Sequence, residues 1–173
     1  MRLRMNETGN KNWSMADISA KAVTRRVAIA GGKIRLGEEA FALLMEGKLP
    51  KGDPLAMAEI AGIQAAKQTP SLIPLCHPIS LNRVMIHSVP RPAEHAVELF
   101  CVAEIAEKTG VEMEALTGLS VALLTIWDLT KPVNAALEIS HTRLLFKSGG
   151  KSGEWRNPEG LPSEVESIIA EIM

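Results

Sequence analysis

The stretch "GVEMEALTGLSVALLTIWDLTK", residues 110–131, constrains this chain more than any other. Apolar residues fall on nearly every helical face over about twenty positions, too many for a strand. Glu112, Glu114, Thr117 and Asp128 interrupt it too often for a membrane span. The pattern predicts a central, buried helix. At 173 residues the chain is long enough to wrap one core around that helix. The expected organisation is a flexible arm over 1–14, a single catalytic α+β domain over 15–156, and a tail over 157–173.

The flanking patterns supply the other layers. In "AVTRRVAIAGGKIRLG" the alternating Val27, Ile29, Ile34 and Leu36 flank Gly31-Gly32, which predicts a hairpin with a tight glycine turn. "GEEAFALLMEGK" has acidic residues at its start and a Gly-Lys end, the pattern of a short capped helix. A second helix follows, with Asp53 as N-cap, Pro54 in its first turn and small residues up to Lys67. Prolines 70, 74 and 78 then demand a stiff loop. "RVMIHSV" and "AVELFCVAEIAEK" alternate as a second antiparallel pair, and "RLLFKSGGKSGEW" reads as a strand entering a glycine-rich loop. In the tail, Ser163 and Glu166 stand in capping-box register before an amphipathic helix. Strand pairs between helices indicate an α+β fold, an antiparallel sheet packed against helices.

Composition excludes several functions. A net charge of −1 and 3% aromatic residues offer neither a basic surface nor a stacking platform for nucleic acid. The N-terminus has no apolar run of secretory type, so the expected location is cytoplasmic. Cys76 and Cys101 form no CxxC pair and read as reduced thiols. Cys76 and His77 are adjacent, a poor chelating arrangement, and no metal site is expected.

The chemistry lies in charges that a buried helix should not carry. Asp128 and Lys131, three apart, share a helical face. Amid apolar neighbours they read as an acid/base pair, the lysine partly desolvated and acting as base, the acid donating. Glu112 and Glu114 lie about 200° apart, too divergent to form a carboxylate pair on a regular helix. They either favour the helix dipole or bind substrate NH groups. "FKSGGKSGE" ends like a phosphate-binding loop, but Leu145 stands where its first glycine is required. Its glycines, with Lys147 and Lys151, form either an anion cradle or a solvated loop. Arg25, Arg26, Lys51, Lys67 and His77 extend a basic inventory that fits a small polyanion. For His77, a phosphate contact, a proton shuttle and a structural hydrogen bond all stay open.

The blocks "AGIQAAKQTPSLIPLCHPI", "KTGVEMEALTGLSVALLTIWDLTK" and "RLLFKSGGKSG", with "MADISAK" near the start, closely resemble the MoaC family, from about Met15 to Trp155. The resemblance implies a ferredoxin-like fold, a homohexamer built as a trimer of dimers, and active sites at subunit interfaces. It implies a lyase that converts 3',8-cyclo-7,8-dihydro-GTP to cyclic pyranopterin monophosphate plus pyrophosphate, in molybdenum-cofactor biosynthesis, without a redox cofactor. Whether Mg²⁺ accompanies the triphosphate is left open. By the same resemblance Asp128, Lys131 and Lys51 are catalytic, while Leu75, Cys76, His77, Met113, Glu114, Glu112, Arg26 and Lys147 bind substrate. Trp127 and Pro132 depart from the tyrosine and alanine usual there, and the proline should bias Lys131 away from helical geometry. The competing readings are a non-catalytic nucleotide-binding homologue and a lyase forming a Schiff base at Lys131.

Overall fold

In the computed structural model, residues 13–173 are described. The expected arm over 1–14 lies almost wholly outside that range. The elements are β1 (Thr24–Arg35), α1 (Glu38–Met45), α2 (Pro54–Lys67), α3 (Thr69–Leu72), β2 (Arg83–Arg91), β3 (Ala96–Glu107), α4 (Glu112–Thr130), β4 (Glu138–Ser148), β5 (Trp155–Arg156) and α5 (Ser163–Ile172). The five strands form one sheet in the order β2-β3-β1-β4-β5, and every pairing is antiparallel. This is an α+β architecture with α2 and α4 on one face of the sheet and α5 on the other.

The expected Gly31-Gly32 hairpin is not there. Thr24–Arg35 is one continuous strand, central in the sheet, paired along its length with β3 and β4. The glycines answer to packing instead. A Cβ on Gly31 would lie 2.5 Å from Leu145 Cδ1, and one on Gly32 would lie 3.0 Å from Leu123 Cδ1 of α4. Irregular register between β1 and β4 falls at the same place, so glycine here accommodates close neighbours and a bulged partner strand.

Helix α4 buries Ala115, Gly118, Leu119, Ala122, Leu123 and Ile126, while Leu124 stays 57% exposed. It is therefore a core helix on one face and not on all. Its polar interruptions do not by themselves exclude a membrane span, since its length and composition would suit one; the packing against the sheet and α2 makes it a core helix here. Each fully buried leucine of this row contributes about 1.5–3 kcal/mol. Small residues let α2 approach α4 closely: a Cβ on Gly118 would lie 2.9 Å from Cys101 Sγ and 3.0 Å from the Gly62 carbonyl oxygen. Asp53 caps α2 as its sequence predicts, Oδ1 accepting from the Leu55 and Ala56 amides at 2.9 and 3.2 Å.

Two local expectations fail for local reasons. The proline-rich stretch begins with a helical turn, Thr69–Leu72, because Pro70 occupies a first-turn position where no amide bond is lost. In α5, Ser163 is already helical and caps nothing; Pro162 precedes the helix, and Glu166 reaches out to Arg156.

Candidate active site

The proposed site residues fall at the two ends of α4. At the C-terminal end, Asp128 is held between two ammonium groups: Lys131 Nζ lies 2.7 Å from Oδ1, and Lys51 Nζ lies 3.0 Å from Oδ2 and from the Asp128 carbonyl oxygen. Lys51 comes from the turn just before α2, so the close α2–α4 packing creates this cluster. Lys131 adopts αR geometry (φ −54°, ψ −25°), its amide donating to the Trp127 carbonyl at 2.8 Å. The proline at 132 thus ends the helix without displacing Lys131.

The environment of this cluster differs from expectation. Side chains of Asp128 and Lys131 are each 52% exposed in the single chain. The hydrogen bonds from Lys131 and then Lys51 hold the Asp128 carboxyl below its ordinary value. These contacts favour the ionised form of Asp128, held between its two lysine partners. Geometry keeps the trio together; burial does not.

At the N-terminal end, Leu75, Cys76, His77, Glu112, Met113 and Glu114 border a cavity of about 230 Å³, with Ala16, Ile79, Thr109 and Gly110. His77 is fixed by a hydrogen bond between Nε2 and the Ala16 carbonyl, at 2.8 Å. Among its three open roles, the structural one is thus present. Cys76 is half-buried, and its thiol is pushed up by desolvation and by the charge of Glu114. Glu114 is 3% exposed, and desolvation, then the neighbouring Glu112 carboxylate, raise its carboxyl above the ordinary 4.5. Cys101 is buried behind α4 and pushed up to about 12 by burial.

A second cavity, about 120 Å³, adjoins the first through Gly110 and Glu112; Arg26, Lys147, Ser148, Gly149 and Ser152 line it. Lys147 Nζ meets Glu112 Oε1 at 2.9 Å. Arg26 donates to the carbonyls of Glu107 and Lys108, at 2.9 and 3.2 Å, tying β1 to the turn before α4. Gly149 and Gly150 carry positive φ, +98° and +71°, so the glycine loop is a shaped turn. Lys67 and Lys151 are exposed and border neither cavity. Glu112 and Glu114 diverge as expected, Glu112 towards Lys147 and Glu114 inward, yet both border the first cavity. Among the described residues, no three His, Cys, Asp or Glu side chains gather as a metal site.

The residues that the sequence reading missed are Ala16, Ile79, Thr109, Gly110, Ser148 and Ser152. Gly110 carried a signal: it stands just before the acidic first turn of α4, where a Cβ would lie 2.0 Å from Glu112 Oε2.

A sequence model of the MoaC family matches residues 15–150, which contain every residue named above at the two ends of α4 except Ser152. The chain belongs to the MoaC family. Among MoaC relatives, the cyclic pyranopterin monophosphate synthase of Chloroflexus aurantiacus is 49% identical over 144 residues, 83% of this chain and 88% of that protein. The synthase of the same name from Dinoroseobacter shibae is 48% identical over 141 residues, 82% of this chain and 89% of its own. That of Rhodospirillum rubrum is 45% identical over 144 residues, covering 83% and 87%. Helix α5 lies beyond the matched MoaC segment.

Proposed function

We propose that this chain catalyses the cyclic pyranopterin monophosphate synthase reaction of molybdenum-cofactor biosynthesis, a lyase step that expels pyrophosphate from 3',8-cyclo-7,8-dihydro-GTP. The observation that carries the reading is the Asp128 carboxylate clamped by Lys51 and Lys131, in a chain 49% identical to a protein of that name. Ammonium groups beside a carboxylate hold and pass protons while rings open and reclose. The Arg26–Lys147 cavity, with its positive-φ glycines, suits the departing phosphates. The buried Glu114, with His77 and Cys76 fixed beside it, suits the NH groups of the purine-derived ring.

One chain does not hold all of this at one point. Glu112 and Asp128 are sixteen positions apart on one helix, about 24 Å along its axis, farther than one such ligand reaches. The reading therefore assigns each site to two protomers of a homohexamer, one presenting Lys51, Asp128 and Lys131 to its neighbour's Glu114 and Lys147. Exposed Met57, Ile60, Leu72, Leu75, Met113 and Leu124 on the helical side of the sheet support such an interface. The strand order supports the ferredoxin-like assignment. The proposed enzyme works in the cytoplasm, needs no redox cofactor and binds no nucleic acid.

The test is incubation of the purified protein with the cyclic GTP-derived intermediate while pyrophosphate and pterin are assayed. Turnover is the expected result, with Lys131→Ala abolishing it. A Lys131→Ala protein that produced the pterin at near-normal rate would refute the assignment. Mixing Lys131→Ala with Glu114→Ala chains should restore part of the activity where sites are shared, and no restoration argues for sites within one chain.

A further inference from the structure

Helix α5 packs on the face of the sheet opposite the cavities, burying Val165, Ile168 and Ile169 against Val27, Ile29, Phe100 and Phe146. Its ends are held differently. Near the start, Arg91 Nη1 meets Glu164 Oε1 at 2.7 Å while Arg91 Nη2 meets Glu98 at 2.7 Å. At the finish, Arg25 Nη2 donates to the Ile172 carbonyl at 2.5 Å, and Arg25 also forks onto Glu104 at 3.0 and 3.1 Å. A cation there meets the carbonyl end of the helix, where its charge is favoured. Ser148 Oγ lies 3.7 Å from Met173 Sδ, and Arg25 Nη1 lies 4.0 Å from the same sulfur.

Arg25 and Ser148 are the sequence neighbours of Arg26 and Lys147, the two cations of the small cavity. Successive strand residues point to opposite faces, so fixing Arg25 outward fixes Arg26 inward, and the contact of Ser148 with Met173 holds the strand beside Lys147. The glycine loop is tied to the same point. A Cβ on Gly149 would lie 2.2 Å from the Arg25 carbonyl oxygen, and one on Gly150 would lie 2.3 Å from Arg26 Nη1.

We infer that the last turn of α5 is a brace for the phosphate-binding pocket, with Arg25 the positioning residue that carries its effect to Arg26, Lys147 and the Gly149-Gly150 loop. The inference rests on the reading above for the identity of the anion. Arg25 itself faces away from the pocket and touches no substrate.

Four variants test it: Arg25→Met, Arg25→Lys, Glu104→Gln and Arg91→Met. Each is titrated with inorganic pyrophosphate, followed by amide hydrogen exchange across residues 147–152, and assayed for kcat and KM. Arg25→Met should weaken pyrophosphate about tenfold and raise KM similarly, with kcat unchanged and faster exchange in the loop. Arg25→Lys should recover most of the affinity, because an ammonium still donates to the Ile172 carbonyl. Glu104→Gln leaves that bond in place and should bind pyrophosphate like wild type. Arg91→Met frees only the far end of α5 and should lower the thermal midpoint without changing affinity. Unchanged pyrophosphate binding and exchange in Arg25→Met, or an equal loss in Arg91→Met, overturns the brace. If wild type binds pyrophosphate but turns nothing over, the proposed reaction fails while binding and exchange still decide the brace. A wild-type chain that does not bind pyrophosphate overturns the brace as a phosphate-positioning device.

Discussion

Replacing Glu114 with glutamine should make this protein more stable and less active, and pH should separate the two effects. Glu114 is 3% exposed, borders the first cavity, and has no salt-bridge partner among the described residues, though a backbone hydrogen bond offsets part of the burial. Burial raises its pKa above 4.5, and Glu112 adds repulsion in the same direction. Below about pH 4 the group is protonated in both the folded and the unfolded chain, and the glutamine variant gains nothing. As pH rises past 4.5 the unfolded chain ionises first, so the native state loses stability until its own raised pKa is passed. Each pKa unit by which burial raises the folded-state value costs about 1.4 kcal/mol once the native carboxylate ionises. For a chain of this size each kcal/mol moves Tm by about 2–4 °C. Glu114→Gln should therefore melt higher than wild type near neutral pH, by about 3–5 °C for each pKa unit that burial adds, and equally below about pH 4. Calorimetric melts of both proteins across that range make the measurement. Cys76, whose thiol is raised partly by the Glu114 charge, should also alkylate faster in the variant. A gain that is the same at both pH values, or a lower Tm at neutral pH, would refute the account of Glu114 as a penalised carboxylate kept for binding.

Three further outcomes can be checked by simpler means. Gly149→Ala places a Cβ against the Arg25 carbonyl at a φ of +98°, so it should lose about 1–3 kcal/mol in denaturant titration and weaken pyrophosphate binding. Gly31→Val crowds Leu145 in the centre of the sheet and should cost at least about 1–3 kcal/mol of stability, whereas a turn glycine would tolerate exchange better. Arg91 depresses the Glu164 carboxyl to about 2, so this pair contributes stability above the ordinary value of 4.5 and loses it as pH falls towards 2. Acid titration followed by hydrogen exchange should thus release α5 early, and Glu164→Gln should remove that part of the pH dependence.

What was legible in the sequence was mainly local. The start of α2 could be read because an Asp-Pro pair satisfies its own first-turn amides, whatever surrounds it. The β2–β3 pair could be read because alternation and a short turn specify both partners. Gly31-Gly32 misled because two flanking apolar runs look alike whether the chain folds back or runs straight; Leu145 and Leu123, far away in sequence, decide the matter. Ser163 misled by one position, since Pro162 already ends the extended segment and leaves the serine inside the helix.

The catalytic candidates divide along the same line. Asp128 and Lys131 are three apart and their pairing followed from helix geometry. The contact of Lys51 with Asp128 spans 77 positions and exists because Gly62 and Gly118 let two helices approach closely. Whether the trio was buried could not be read, because neighbours that are remote in the chain set its solvent exposure.

By itself the sequence determined the helix starts, the alternation of the strands, the i,i+3 charge pair and membership of the MoaC family, since each depends on residue types at short, fixed spacings. Only the tertiary structure decided that β1 is straight, that Asp128 is an exposed carboxylate between two ammonium groups, and that Glu114 is buried. It also placed α5 against the strands that carry Arg26 and Lys147. The reason is physical: periodicity says which face of an element leaves water, while the charge state and freedom of a side chain depend on what covers that face.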